Sequence, residues 1–236
     1  MNTRSKVVLY QPPTKPWGMP NMSPFCIKLE CYLRMAGIPY ESRAASPSNA
    51  PKGKIPYVEI GGERMGDSQL IIRRFERESA APLDTWLSAE QRALGHAVQR
   101  MVDEASFFVT VYLRWVDDAG FKTLLPEFKK MMPGPLKLAV PLVRRHVRKL
   151  LHLQGTGRHT PDEIQQIGKA DWTSIATLLG DKPFLLGERP SSFDASVFGG
   201  LEALLGFPHE SEVKRHASAQ GNLVTYRERI RARFWA

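Results

Sequence analysis

Ser23-Pro24-Phe25-Cys26 stands just behind a short β-like run, Val7-Val8-Leu9-Tyr10, and has the residue order of a helix start. Serine is a favoured N-cap, and proline at the first helical position loses no hydrogen bond because that N–H has no intrahelical partner. A helix start of this kind presents free N–H groups and the positive end of the helix dipole. It can therefore hold a thiolate and lower a thiol pKa from about 8.5 toward neutrality. The same four residues also suffice for an ordinary cap.

Two further stretches could act on a ligand. Lys54-Ile55-Pro56-Tyr57 runs directly into a β-like segment, where a leading proline is tolerated. A cis Ile55–Pro56 bond would turn the Ile55 N–H and C=O outward, free to pair with an extended peptide as an added strand; a trans proline would simply open the strand. Gly66-Asp67-Ser68-Gln69 begins a second helix. Asp67 and Ser68 there offer a carboxylate, a hydroxyl and free amides to a small zwitterion, or serve only as a cap.

The elements that must position these residues follow from pattern. A helix is expected from Ser23 to about Ala36, stopped by Gly37 and Pro39, and Tyr40 opens a second strand. Residues 47–51 are turn-rich. Tyr57-Val58-Glu59-Ile60, Gly61-Gly62 and Glu63-Arg64-Met65 read as a hairpin, followed by a helix from Asp67 with Leu70, Ile71, Ile72 and Phe75 on its apolar face. Residues 81–87 read as a linker between a domain at 1–80 and an all-helical domain at 88–236. Capping boxes are expected at Ser88 with Gln91, Thr160 with Glu163 and Ser191 with Asp194. The first opens a long helix to about Asp118, and Asn222 is expected to cap the last helix.

In this order and spacing the three stretches resemble the glutathione transferase superfamily: an α/β thioredoxin-like N-terminal domain followed by an all-α C-terminal domain. Ser23-Pro24-Phe25 is similar to the tau-class stretch whose serine activates the glutathione sulfur, and Cys26 matches the second cysteine of a glutaredoxin-type Cys-Pro-Tyr-Cys motif. The resemblance implies Ser23 as the catalytic residue, with Cys26 as the redox alternative. It assigns Lys54, Ile55 and Pro56 to the cysteinyl part of glutathione, and Asp67 and Ser68 to the γ-glutamyl end. Residues 184–194 resemble the family's C-terminal capping box. Residues 23–30 with 32–35 and 157–160 are similar to a subgroup of failed-axon-connections proteins, metaxins and bacterial relatives. The implied activity is transfer of glutathione to a hydrophobic electrophile, a detoxification chemistry, with Phe107, Phe108, Tyr112 and Trp115 as candidates to face it. The subgroup implies an alternative, a non-catalytic binding or assembly protein. A homodimer is the family expectation.

Composition narrows the remaining classes. The chain has 236 residues, 42% hydrophobic and 24% charged, and no apolar run reaches the ~20 residues of a membrane helix. No membrane insertion is expected, and the short apolar stretch behind Lys6 is no secretory signal, which points to the cytoplasm. Cys26 and Cys31 lie five apart on one expected helix, too far round it to pair. The net charge of +9 is concentrated at 144–149 and 227–233, where interleaved apolar residues suggest solvated faces of amphipathic helices. With no nucleic-acid-binding motif, no nucleic acid partner is expected. The six histidines show no ligand spacing, so no metal site is expected.

Overall fold

The structure is a computed structural model describing residues 6–45, 49–132 and 134–235, so residues 47 and 48 of the expected turn region lie outside the described residues. Strands β1 (Val7–Gln11), β2 (Tyr40–Ala44), β3 (Tyr57–Ile60) and β4 (Glu63–Gly66) form one sheet in the order β2-β1-β3-β4. β1 and β2 are parallel and therefore need a crossover, which helix α1 (Pro24–Met35) supplies. β3 pairs antiparallel with both β1 and β4, and the tight β3–β4 turn uses Gly61 and Gly62 at φ 59° and 87°. Helix α2 (Ser68–Glu78) completes the thioredoxin-like domain and buries Ile71, Ile72 and Phe75.

The rest of the chain is helical. α3 (Ala89–Arg100), a π-helical segment (Met101–Ser106) and α4 (Phe107–Trp115) run on as one rod. It ends before the expected Asp118 because the Val116 and Asp117 N–H groups both turn back to the Tyr112 carbonyl. Asp117 then caps α5 (Asp118–Lys130) by accepting from the Gly120 N–H at 2.6 Å. α6 (Val140–Gln154), α7 (Pro161–Leu179), α8 (Ser192–Leu205), α9 (Glu212–Ala219) and α10 (Gly221–Phe234) follow.

Helix α8 is the axis of this domain, with nearly every residue buried. Its start is fixed by Asp194, fully buried, whose carboxylate accepts from the Leu185 and Ser191 N–H groups, the Ser191 hydroxyl and the Tyr226 hydroxyl at 2.7–3.0 Å. The boxes at Ser88/Gln91 and Thr160/Glu163 form as reciprocal side-chain-to-backbone pairs on the surface. Asn222 does not cap the last helix. The cap position falls to Gln220, two residues earlier, and Asn222 donates instead to the Ala176 and Gly180 carbonyls, closing the C-terminus of α7.

α1 lies directly on α8. At Gly199 an added Cβ would sit 2.7 Å from the Pro24 carbonyl oxygen and 3.1 Å from the Lys28 nitrogen, so the first turns of α1 need a glycine opposite them. The basic cluster at 227–233 is structural rather than a solvated face. Arg227 and Arg231 pair with the fully buried Glu202 of α8, and Arg229 donates to the Pro183 carbonyl.

The two kinds of capping carboxylate should differ in cost. Asp194→Ala strands four donors inside the core and should lose about 3 kcal/mol or more. Thr160→Ala, at a solvated cap, should lose about 1 kcal/mol. Equilibrium urea unfolding measures both; equal losses would contradict the structural role given to Asp194.

Candidate functional site

A cleft of about 650 Å³ runs between the thioredoxin-like domain and the α3–α4 rod. Its sheet-domain wall is made by Phe25 and Lys28 of α1, Lys54, Ile55 and Pro56 of the segment entering β3, and Asp67, Ser68 and Arg73 at and in α2. Five of the residues singled out by sequence pattern thus meet in one place.

The polar groups on this wall are available. The Ile55–Pro56 bond is cis, and among the described residues the Ile55 N–H and C=O have no hydrogen-bond partner. Asp67 caps α2 with one oxygen, which accepts from the Gln69 and Leu70 N–H groups at 3.0 and 3.1 Å. Its second oxygen carries no protein donor among the described residues, nor do the Ser68 hydroxyl and N–H have partners there. Asp67 holds φ at 82°, a conformation non-glycine residues adopt only when the surroundings enforce it, and strain of this kind gathers at functional sites. Lys54 and Arg73 are exposed and lack carboxylate partners among the described residues, so the wall carries two cations beside one carboxylate.

Ser23 is placed one step away. It is the N-cap of α1, its Oγ accepting from the Cys26 N–H at 3.4 Å, and it is half-buried just behind Phe25, outside the lining of the cleft. Two contacts fix it. The Ser23 N–H donates to Asn21 Oδ1 at 3.1 Å, and Asn21 donates to the Pro12 carbonyl at 3.0 Å. The preceding Met22 carbonyl accepts from the buried Arg114 of α4 at 2.7 Å, and the same guanidinium donates to Ala203 in α8. Burial pushes the Arg114 pKa down to about 10. In the first turn of α1 the Phe25 N–H has no partner among the described residues, and Phe25 lines the cleft. An anion there meets a free helix amide with the Ser23 hydroxyl close by.

Cys26 is fully buried. Loss of solvation pushes its thiol up to about 12, the Ser23 hydroxyl opposing and Glu30 adding to the rise, so it stays a neutral thiol. Cys31 is buried as well, and neither cysteine is in a disulfide.

Residues the sequence pattern did not single out join the sheet-domain wall to the opposite one. Lys28, almost wholly buried, donates to Asp103 Oδ2 at 2.5 Å from α1 to the π-helical segment. Gln99 donates to the same oxygen at 3.1 Å, while its own Oε1 has no partner among the described residues. Burial lowers the Lys28 pKa and Asp103 opposes it. The signal was a single charge in an apolar run, Cys26-Ile27-Lys28-Leu29, and Arg114 carries the same signal. The expected aromatic stripe divides. Phe107 and Phe108 line the cleft with their rings 5.2 Å apart, and Phe107 also packs on Phe25. Trp115 instead packs with Phe121 and Phe128 in a separate cluster, and Tyr112 packs against the main core.

The chain resembles known proteins in both sequence and fold. A family model described as the glutathione S-transferase N-terminal domain matches residues 24–120, and one described as the glutathione S-transferase C-terminal domain matches residues 168–230. The isoprene-epoxide glutathione S-transferase of Rhodococcus sp. (strain AD45) is 31% identical, over 92% of this chain and 95% of that protein. Failed axon connections of Drosophila melanogaster is 30% identical, over 84% of this chain and 50% of its own length. Human Metaxin-1 is 27% identical, over 89% of this chain and 47% of its own. This chain therefore spans about half the length of those last two relatives. Among solved structures, a glutathione transferase from Phanerochaete chrysosporium superposes with a TM-score of 0.65 over 97% of both chains at 16% identity. One from Methylobacterium radiotolerans, in complex with glutathione sulfonate, gives 0.62 over 96% of this chain and 91% of that chain at 17% identity. These structural likenesses show the fold.

The Lys28–Asp103 pair ties the two walls of the cleft together, which sets up a double-mutant test. Lys28→Met leaves Asp103 without its cation and should cost about 3 kcal/mol in urea unfolding. Adding Asp103→Leu should restore most of that stability, because a matched apolar pair needs no counter-charge. Additive losses would show that the pair is not coupled.

Proposed function

The chain belongs to the glutathione S-transferase family, and from that premise we propose that it binds glutathione in this cleft and activates its thiol toward a small hydrophobic electrophile. The observation that carries the reading is the convergence, on one wall, of the Ile55 N–H and C=O, the second Asp67 oxygen, the Ser68 hydroxyl and N–H and the Phe25 N–H, none with a partner among the described residues. Glutathione is an extended tripeptide with an ammonium and a carboxylate at one end, a thiol in the middle and a second carboxylate. In this reading Asp67 takes the ammonium, and Ser68 takes the carboxylate beside it through its hydroxyl and N–H. Ile55 pairs with the cysteinyl backbone across Pro56, and Lys54 meets a carboxylate.

The thiol then lies toward the start of α1. Ser23 donates its hydroxyl hydrogen to the sulfur, and the Phe25 N–H with the helix dipole adds to the stabilisation of the thiolate. The proton leaves to solvent, the sulfur forms a bond to an electrophilic carbon, and the bond from that carbon to its leaving group breaks. Phe107 and Phe108 supply an apolar face for the electrophile. The Rhodococcus relative is named for an isoprene epoxide, an electrophile of that kind. Cys26 has no redox role in this reading, since its thiol is neutral and closed off from the cleft.

The relatives Failed axon connections and Metaxin-1 support a second reading, a non-catalytic binding or assembly role for the same fold. Calorimetry separates the two. Binding of glutathione at submillimolar concentration, with affinity falling about tenfold in Asp67→Asn, supports the catalytic reading; a protein silent to millimolar glutathione supports the other. For turnover, Ser23→Ala should lower kcat/KM with 1-chloro-2,4-dinitrobenzene by roughly 10²-fold while glutathione affinity changes little. Full activity in that variant would remove Ser23 from the mechanism.

A further inference from the structure

Leucine is concentrated on the surface at one end of the helical domain. Of the eight large hydrophobic side chains exposed among the described residues, five lie within 136–153: Leu136, Leu138, Leu142, Leu150 and Leu153. Leu138 is 86% exposed and Leu142 68%, values that belong to side chains with almost nothing over them. Leu136 and Leu138 sit on the 3-10 turn Gly134–Ala139 that feeds α6. Within α6, Leu142, His146, Lys149, Leu150 and Leu153 fall at i, i+4, i+7, i+8 and i+11. They form one outward stripe about 16 Å long, while Val140 and Leu151 face in. The helix thus carries leucines on its outer side, among His146 and Lys149, as well as on its inner one, and the inward core does not account for the outer leucines.

Charge identifies what can cover them. From Phe128 to Pro161 the sequence holds eight lysines and arginines and no acidic residue. Arg144 and Arg148 face Asp118, and Lys130 pairs with Glu127. Lys129, Lys137, Arg145 and Lys149 have no carboxylate partner among the described residues. With Leu138, Pro141 and Phe121, several of these cations rim a shallow groove of about 610 Å³. A second copy docked on the same face would set cation against cation, which disfavours a two-fold pairing here. Nucleic acid would satisfy the cations and leave the leucines in water. An anionic bilayer surface satisfies both, its phosphates and acidic headgroups meeting the lysines and arginines while the leucines enter the headgroup–acyl boundary.

We propose that the face formed by residues 136–153 docks the protein peripherally on anionic lipid membranes. No helix among the described residues is long and apolar enough to cross a membrane, so the contact is interfacial. The proposal is independent of the glutathione reading, because it uses none of the residues assigned to the tripeptide.

Flotation with the full chain tests it, using phosphatidylcholine vesicles with and without 30% phosphatidylglycerol. The expected result is binding to the anionic vesicles alone, weakened by raised salt. Leu138→Ser with Leu142→Ser should weaken it at least tenfold, and Lys137→Glu with Arg145→Glu should do the same. Circular dichroism and thermal unfolding of the variants confirm that they are folded. Three outcomes would overturn the proposal: no binding to anionic vesicles, binding that ignores the leucine substitutions, or a wild-type dimer in ultracentrifugation that the leucine substitutions dissociate. Leucine-dependent binding of an acidic amphipathic peptide in the absence of vesicle binding would overturn it too, in favour of a protein partner.

Discussion

The close contact of α1 with α8 is the constraint on which the rest depends. The backbone of α8 comes so near the first turns of α1 that only glycine fits at Gly199 against the Pro24 carbonyl. Everything that fixes α8 therefore fixes the helix start at the cleft. Asp194 sets where α8 begins and Glu202 anchors it to α10, while Arg114 joins the Ala203 carbonyl of α8 to Met22, one residue before the Ser23 cap. The helical domain is thus a jig for the thioredoxin-like domain. It holds a free helix amide and a hydroxyl at one edge of a cleft whose other donors and acceptors come from Ile55, Asp67 and Ser68.

The two walls of that cleft differ in physical character. The sheet-domain wall presents unpaired backbone and side-chain groups, and such groups are tolerated because they remain open to solvent until a ligand takes them. The α3–α4 wall is closed, with Asp103 held by Gln99 and by Lys28 reaching across from α1, and Phe107 and Phe108 standing beside them. The π-helical segment carries Asp103, and an extra residue in one helical turn shifts which side chains face the cleft. The proposed two-substrate reading uses this difference, setting an extended peptide on the polar wall and an apolar partner against the partly aromatic one.

Much of this was legible in the sequence wherever the determinant is local. The Ser88 and Thr160 boxes, the Gly61-Gly62 hairpin and the Ser23, Pro56 and Asp67 starts depend on neighbours within a few positions, and their residue types announce them. Lys28–Asp103 and Arg114–Met22 join residues 75 and 92 positions apart, so only a stray charge in an apolar run hinted at them. Asn222 misled because asparagine suits a cap equally well whether it serves its own helix or the end of another. The α6 leucines misled for a related reason. Interleaved Val143, Val147, Leu150 and Leu151 suggest an inward apolar face, and periodicity cannot say that a second apolar stripe faces out.

In the proposed function the start of α1 stabilises the thiolate of glutathione bound beside it. Ultraviolet absorbance of the thiolate, followed against pH in the protein–glutathione complex, reads this directly. The expected result is a bound thiol titrating at least one unit below the ~8.5 of a free thiol, with Ser23→Ala moving it back toward that value while glutathione stays bound. A bound thiol that titrates where the free one does, in both proteins, would contradict it.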